Sequence, residues 1–311
     1  MFYYLEYLHR KKSLVGILLI LATIIALALE NSPMRSMYHQ VIDYQIVTLD
    51  NLPIAFTIHE LINEGLLAIF FFLIGLEVKY EIVAGSLKTW DKLLHSAVAA
   101  VGGVLLPAII YYLINIDNSN FQAGWAIPTA TDIAFAVGVL SLVSDVPAII
   151  KTLLVTIAIF DDLLAILIIA LFYSEPIVLT PLLVAAAALA IMRVLVYREV
   201  TNLWAYVVPA VLIWLGILYS GVHATISGFI IAICLPTVQS KNIGWNTKRY
   251  YQILEPWINY AILPLFALAN AGVYLLDIDN ADLINPVSRG IMFGLVIMLM
   301  SPNFFVTRSK A

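Results

Sequence analysis

The stretch L-L-V-T-I-A-I-F-D-D-L-L-A-I-L-I-I-A, residues 153–170, places two adjacent aspartates, Asp161 and Asp162, inside a long apolar run. A second apolar run, W-A-I-P-T-A-T-D-I-A-F-A-V-G-V at residues 125–139, contains Asp132. A carboxylate in hydrocarbon costs at least about 2.5–3.5 kcal/mol on insertion scales. Three aspartates on neighbouring apolar segments therefore predict a buried site for cations or protons.

The composition of the 311 residues is that of an integral membrane protein. Hydrophobic residues make up 62% of the chain and charged residues only 12%, whereas about 25% of a soluble domain is charged. No hydrophilic stretch is long enough for a soluble domain, so we expect a single transmembrane domain over residues 1–311. We expect no cofactor and no nucleic-acid partner, and the net charge of −4 says little about other partners.

Apolar runs of about 20 residues are long enough to cross a bilayer, and the chain holds about ten of them. They lie near 14–30, 57–80, 93–114, 121–143, 148–173, 178–197, 203–219, 221–236, 254–276 and 287–306. If the N-terminus is cytoplasmic, every Lys and Arg except Arg35 and Arg289 falls on the cytoplasmic side. That distribution is the one expected of a multi-pass membrane protein.

The fourth and fifth predicted helices should form an antiparallel pair, because the short turn S-D-V-P at residues 144–147 joins them. Asp132 and Asp161 lie almost equally far from this turn along the chain, so they should lie at the same depth, near the middle of the bilayer. Pro128 lacks a backbone donor, and Thr131 can bond free backbone groups. These residues predict a break in the fourth helix, and broken helices at mid-depth mark binding sites in many transporters.

Crowded carboxylates cannot all ionise, and burial favours their protonated forms. Asp161 and Asp162 point about 100° apart on a helix, so one can line a cavity while the other meets a second partner. A site that holds protons or a small cation, but not both, exchanges them when it opens to each side in turn. Two alternatives stay open: an ordinary proline kink at Pro128, and an Asp–Asp pair that only ties helices together.

These residues resemble the NhaA-type sodium/proton antiporters, from about residue 13 to residue 295. The similar stretches are F-F-F-L-I-G-L-E-V-K at 70–79, G-W-A-I-P-T-A-T-D-I-A-F-A-V-G-V-L at 124–140, I-F-D-D-L-L-A-I at 159–166, A-L-F-Y at 170–173, S-G-V-H-A-T at 220–225 and P-W-I-N-Y-A-I-L-P-L-F-A-L-A-N-A-G-V at 256–273. The resemblance implies an all-α fold with two inverted repeats and two crossing broken helices. It also implies a bacterial inner membrane protein that exchanges cytoplasmic Na+ or Li+ for external H+ and takes part in pH homeostasis. A homodimer formed through a hairpin near residues 43–52 is plausible on the same ground.

Carried over residue by residue, the resemblance assigns Asp161 and Asp162 as the cation and proton carboxylates and as the metal ligands for transported Na+ or Li+, with Asp162 as the stronger candidate for the cation ligand. Thr131 and Asp132 match the broken-helix positions beside them. The pH-response candidates are Glu77, Lys79, Glu81 and His223. An alternative interpretation places the three charged residues at an interfacial helix end, and His223 in a bond to the backbone.

Three positions depart from the family pattern. Leu164 stands where the family usually has Gly, and Tyr80 where it often has a basic residue. Ser301 stands at the position of a family Lys, and the tail at 301–311 is atypical. We therefore expect the last two family helices to be missing through truncation or a frameshift. The alternative function is a non-transporting remnant or a membrane interaction partner.

An enzyme is not expected. A membrane prenyltransferase needs two Asp-rich motifs, and the chain has one Asp–Asp pair. The Gly-x-Gly-Asp signature of intramembrane aspartic proteases is absent, and so is the P-loop that ATP-driven transport would need.

Overall fold

The structure, a computed structural model, describes most of the chain. The described residues are 2–49, 54–83, 90–129, 160, 164–165, 167–169, 171–173, 176–200, 202, 204–235, 247–275 and 285–296. Within them the regular secondary structure is helical apart from one two-stranded hairpin. The hairpin pairs β1 (Gln45–Leu49) with β2 (Ile54–Thr57) in antiparallel fashion.

The helices with a continuous range in the described part of the chain are numbered in chain order. They are α1 (Phe2–Glu30), α2 (Arg35–Ile42), α3 (Ile58–Glu60, Leu61–Leu66 and Leu67–Val83 without a break), α4 (Trp90–Ile114), α5 (Ser119–Gln122), α6 (Leu179–Tyr197), α7 (Trp204–Leu218), α8 (Thr225–Cys234), α9 (Thr247–Trp257, Ile258–Ile262 and Leu263–Asn270 without a break) and α10 (Pro286–Val296). The middle pieces of α3 and α9 are π-helical turns, and a 3-10 segment, Ala123–Thr129, follows α5.

The chain divides into two compact units. One holds residues 1–12, 84–169 and 276–311, and the other holds residues 13–83 and 170–275. The second unit contains α2, the hairpin, α3 and α6 to α9. Its largest cluster of buried side chains joins α6, α7 and the end of α8, and includes Met192, Tyr206 and Ile213.

Helices α3 and α8 pack side by side and run in the same direction. A Cβ on Gly75 would lie 2.6 Å from the Cβ of Ala232, and a Cβ on Gly228 would overlap the carbonyl oxygen of Ala68. Small residues let membrane helices approach this closely. Parallel packing agrees with the odd number of crossings that the sequence predicts between these two segments.

The first unit is built around Tyr111 on α4, which is 1% exposed. Its hydroxyl donates to the Phe121 carbonyl at 2.9 Å. The side-chain nitrogen of Asn115, just after α4, donates to the Pro286 carbonyl at 3.2 Å and so joins the end of α4 to the start of α10. A Cβ on Gly294 of α10 would lie 2.7 Å from Pro128, so α10 packs directly on the proline of the 3-10 segment.

Two described helices, Ile58–Tyr80 and Leu179–Tyr197, are long and apolar enough to cross a membrane by themselves. The pair Leu14–Glu30 and Arg35–Ile42, bent by 118°, adds a third if it is one span. Four shorter apolar helices lie in other predicted spans: Ala100–Ile114, Trp204–Leu218, Thr225–Cys234 and Pro286–Val296. The count of about ten spans stays a prediction, because long parts of the fourth and fifth lie outside the described residues.

Candidate functional site

The four residues predicted to hold the transported ion, Thr131, Asp132, Asp161 and Asp162, lie outside the described residues. The structure describes their neighbours. The 3-10 segment ends at Thr129, whose hydroxyl donates to the Ala126 carbonyl at 2.7 Å. The backbone of residues 123–129 is therefore 3-10 helix and not α-helix. The break itself and the four ion-site residues stay predictions.

The acidic, histidine and cysteine side chains of the described residues are spread apart. None of their His, Cys, Asp and Glu side chains form a group of three that could hold a metal ion. A cavity of about 560 Å³ lies in the second unit, and side chains such as Phe72, Met192 and Ile231 line it without any carboxylate. Alkali and other hard cations need oxygen ligands, so this cavity does not suit them.

Lys79, a predicted pH-response residue, bonds the carbonyl end of α8. Its ammonium group donates to the carbonyl oxygens of Ile233 at 2.7 Å, Ala232 at 3.5 Å and Leu235. The last carbonyls of a helix lack partners within the helix, and a cation there also offsets the negative end of the helix dipole. Lys79 therefore joins α3 to α8. Glu77 is half-buried on α3, and the side chain of Glu81 lies outside the described residues.

His223, the other predicted pH-response residue, lies just before α8 and contacts a carboxylate of α3. Its Nδ1 is 3.4 Å from Oε1 of Glu64, and its Nε2 is 3.2 Å from the Tyr173 carbonyl oxygen. The second oxygen of Glu64 accepts from the backbone N–H of Ala224 at 2.8 Å. The contact with the Tyr173 carbonyl fits a histidine that bonds the backbone, and the contact with Glu64 fits a residue that responds to pH.

The sequence did not identify Glu64 as the partner of His223. Glu60 and Glu64 are one helical turn apart, a spacing that places two side chains on the same face of a regular α-helix. The π-helical turn Leu61–Leu66 separates their roles. Glu60 closes a capping box with Thr57 at the start of α3, whereas Glu64 faces α8, and the indole N–H of Trp214 donates to its backbone carbonyl at 2.8 Å. π-helical turns frequently occur at functional sites.

Replacing Glu64 by alanine should lower the stability of the second unit. The N–H of Ala224, a fully buried residue, would lose its acceptor, and an unsatisfied buried donor costs about 1–3 kcal/mol. Glu64→Gln keeps an acceptor oxygen and should lose less. The measurement is the thermal unfolding temperature of the purified protein in detergent, with Asp117→Ala, an exposed acid in a turn, as control. An unchanged unfolding temperature for Glu64→Ala would contradict this assignment.

Comparison with known proteins identifies the family of this chain. The family described as Na+/H+ antiporter 1 matches residues 6–299. The chain belongs to the Na+/H+ antiporter 1 family. It is accordingly a membrane protein of a transporter family, and its helical fold is the one expected of that family.

Curated relatives agree with this membership in the Na+/H+ antiporter 1 family. The chain is 45% identical over 294 residues to the Na(+)/H(+) antiporter NhaA of a Nitratiruptor species, covering 93% of this chain and 76% of the relative. It is 46% identical over 285 residues to the Na(+)/H(+) antiporter NhaA of Pseudomonas putida, covering 91% and 73%. For the Na(+)/H(+) antiporter NhaA of Shewanella pealeana the identity is 43% over 289 residues, covering 92% and 74%.

Proposed function

We propose that this chain is a secondary transporter that exchanges cytoplasmic Na+ or Li+ for external H+, and so serves sodium and pH homeostasis. One observation supports this above the others. Asp132 and the pair Asp161–Asp162 occupy adjoining apolar segments at nearly equal distances from one predicted turn, in a chain whose family and relatives are Na+/H+ antiporters.

The proposed mechanism is competition for shared carboxylate oxygens. Buried, crowded carboxylates favour protons, and a hard cation takes the same oxygens once a proton leaves. Asp162 is the cation ligand in this proposal, and Asp161 is its partner carboxylate. Asp132 offsets the partial charges of the broken-helix ends, and Thr131 bonds backbone groups that the break leaves free. Because either ion excludes the other, alternate opening to the two sides couples their movements.

The proposed pH response involves two places in the second unit. His223 with Glu64 lies at one end of α8, and Lys79 lies at the other end beside the segment of Glu77 and Glu81. Histidine changes charge between about pH 5 and 8, so the His223–Glu64 contact is suited to report pH near the membrane surface. Lys79 couples any movement of α3 to α8 through its bonds to carbonyl oxygens.

The proposed setting is the bacterial inner membrane, with one transmembrane domain and a cytoplasmic N-terminus. The placement of nearly all Lys and Arg on one side supports this orientation. The hairpin of β1 and β2 is the proposed contact of a homodimer, since a two-stranded hairpin has edges that can pair with a partner.

The test uses everted membrane vesicles with a pH-sensitive dye. Vesicles that carry the protein in their membrane and have an acidic interior should lose their proton gradient when Na+ or Li+ is added. The apparent affinity for the cation should rise with pH, because the ligands must lose protons before the cation binds. Vesicles that respond to neither cation would contradict the proposal and favour a non-transporting membrane partner.

A further inference from the structure

The π-helical turn in the first part of α3 directs neighbouring residues to different helices. Asn63 and Asn270 of α9 exchange two hydrogen bonds between their side-chain amides, at 3.2 and 2.8 Å. The carboxylate of Glu64 accepts from the backbone N–H of Ala224, just before α8, at 2.8 Å. The winding of this one turn therefore decides how α3 meets α8 and α9.

A π-helical turn takes in one residue more than an α-helical turn. In α3 the N–H of Leu67 donates to the carbonyl of Ile62, five residues back, where an α-helix would use the fourth. One residue of an α-helix corresponds to about 100° of rotation and about 1.5 Å of rise. If this turn rewound as α-helix, the chain before it would thus rotate by about 100° relative to the rest of α3.

The two π-helical turns of the second unit have different causes. In α9 the turn Ile258–Ile262 comes just before Pro264. Proline has no N–H, and in an α-helix its ring clashes with the carbonyl four residues earlier, so the sequence itself favours the wider turn. The corresponding stretch of α3, L-I-N-E-G-L-L-A-I-F at residues 61–70, has no proline. The π winding of α3 therefore depends on contacts with other helices.

Trp214 of α7 makes such a contact. Its indole N–H donates to the backbone carbonyl of Glu64, inside the π turn, at 2.8 Å. The indole ring lies against the same turn, since a Cβ on Gly65 would be 3.7 Å from it. The centre of the ring system is 5.9 Å from the ring centre of Phe56 in β2. This half-buried tryptophan thus contacts the turn and the hairpin together.

The hairpin should follow any change of this turn. Strand β2 ends at Thr57, and α3 begins at the next residue, Ile58. The Glu60 carboxylate accepts from the N–H of Thr57 at 2.9 Å, and the N–H of Glu60 donates to the Thr57 hydroxyl at 3.1 Å. This capping box joins β2 firmly to the first turn of α3, so the two should rotate together when the π turn rewinds.

We propose that Trp214 is a positioning residue, which holds the turn of α3 in its π winding and so keeps Glu64 directed at α8. Without the indole N–H, the Glu64 carbonyl loses its donor from α7, and the α-helical winding gains population. The bearing on transport rests on the proposed function, in which Glu64 is the partner of His223. The positioning itself concerns only the second unit.

The test measures the distance between spin labels on the hairpin and on α6, in the full chain in nanodiscs. The labels are attached at Ile46→Cys and Leu183→Cys, both exposed positions, with Cys234, the single cysteine, changed to serine. Pulsed electron resonance should show one narrow distance in this parent chain. In Trp214→Phe, which keeps an aromatic ring without the N–H, the population of a second distance should rise about fivefold, the factor that one lost hydrogen bond gives.

The matched control is Trp204→Phe, at an exposed tryptophan at the start of the same helix. It should give the parent distribution, because its side chain lies far along α7 from the π turn. A parent distribution in Trp214→Phe would overturn the proposal. So would a second distance of the same population in Trp204→Phe, because the change would then not depend on the bond to Glu64.

Deletion of Gly65 separates positioning from simple packing. The deletion removes the extra residue, so α3 can be α-helical throughout while the hairpin keeps its place, and the parent distance should remain. Adding Trp214→Phe to the deletion should then change nothing, because no π turn is left to rewind. A second distance that persists in this double variant, or loss of the folded protein on deletion of Gly65, would contradict the proposal. Neither outcome bears on Na+/H+ exchange, which the vesicle assay tests separately.

Discussion

Asp162→Asn should abolish the Na+- and Li+-dependent loss of the proton gradient, down to the level of vesicles that lack the protein. Asparagine has nearly the shape of aspartate, but it has no negative charge and no exchangeable acidic proton. The cation would lose a charged ligand in a region where water cannot replace it. The competition between proton and cation would also disappear, because asparagine offers no carboxylate for which the two ions could compete.

The control for this variant is Asp145→Asn, in the short turn S-D-V-P between the same two predicted helices. That aspartate belongs to a turn and not to an apolar run, so exchange should continue at the rate of the parent chain. Both variants must be present in the membrane in equal amounts, as judged by an epitope tag. Exchange that persists in Asp162→Asn would refute the assignment of Asp162 as the cation ligand.

Gly228→Ala should strongly destabilise the packing of α3 on α8. A Cβ at residue 228 would overlap the carbonyl oxygen of Ala68 and lie 2.8 Å from the backbone nitrogen of Phe72. Both contacts are backbone atoms of α3, so no side-chain rotation can relieve them. Overpacking of this kind costs about 1–3 kcal/mol and occasionally more. The expected result is a thermal unfolding temperature in detergent lower by several degrees, with a lower yield of folded protein.

Gly16→Ala is the matched control for Gly228→Ala. It also lies within a helix, but a Cβ there meets nothing within 4 Å, so its unfolding temperature should not fall. Gly75 lies on α3 and faces α8 in the same contact. Gly75→Ala should therefore also lower the unfolding temperature, because its Cβ would lie 2.6 Å from that of Ala232. Equal stability of Gly228→Ala and Gly16→Ala would contradict the close approach of the two helices.

Hydropathy predicted the long segments well where one helix crosses without interruption. The run at 178–197 corresponds to α6 at Leu179–Tyr197, and the run at 203–219 to α7 at Trp204–Leu218. The run at 221–236 is less accurate, because α8 begins only at Thr225 after a turn in which Gly221 has a φ of 85°. Hydropathy locates an apolar run, but it does not show at which residue of that run the helix begins or ends.

The side-chain partnerships were beyond sequence analysis for a physical reason. Glu64 and His223 are 159 residues apart along the chain, and nothing local in either segment indicates the other. The π-helical turn that aims Glu64 at α8 depends on tertiary packing and has no sequence pattern of its own. The motifs around Asp132, Asp161 and Asp162, in contrast, combine residue type and spacing within short stretches, so the family could be identified from them.

Helix α8 has ten residues, a length of about 15 Å at 1.5 Å per residue, and the hydrocarbon layer is about 30 Å thick. Such a half-length helix leaves backbone groups at both ends where water is scarce. Helix α3 supplies a partner at each end, the Glu64 carboxylate at the first and the Lys79 ammonium at the last. A helix of this length without α3 would therefore leave those backbone groups without partners. We expect α8 to become stable in the lipid only when it packs on α3, the longer helix, which is synthesised first.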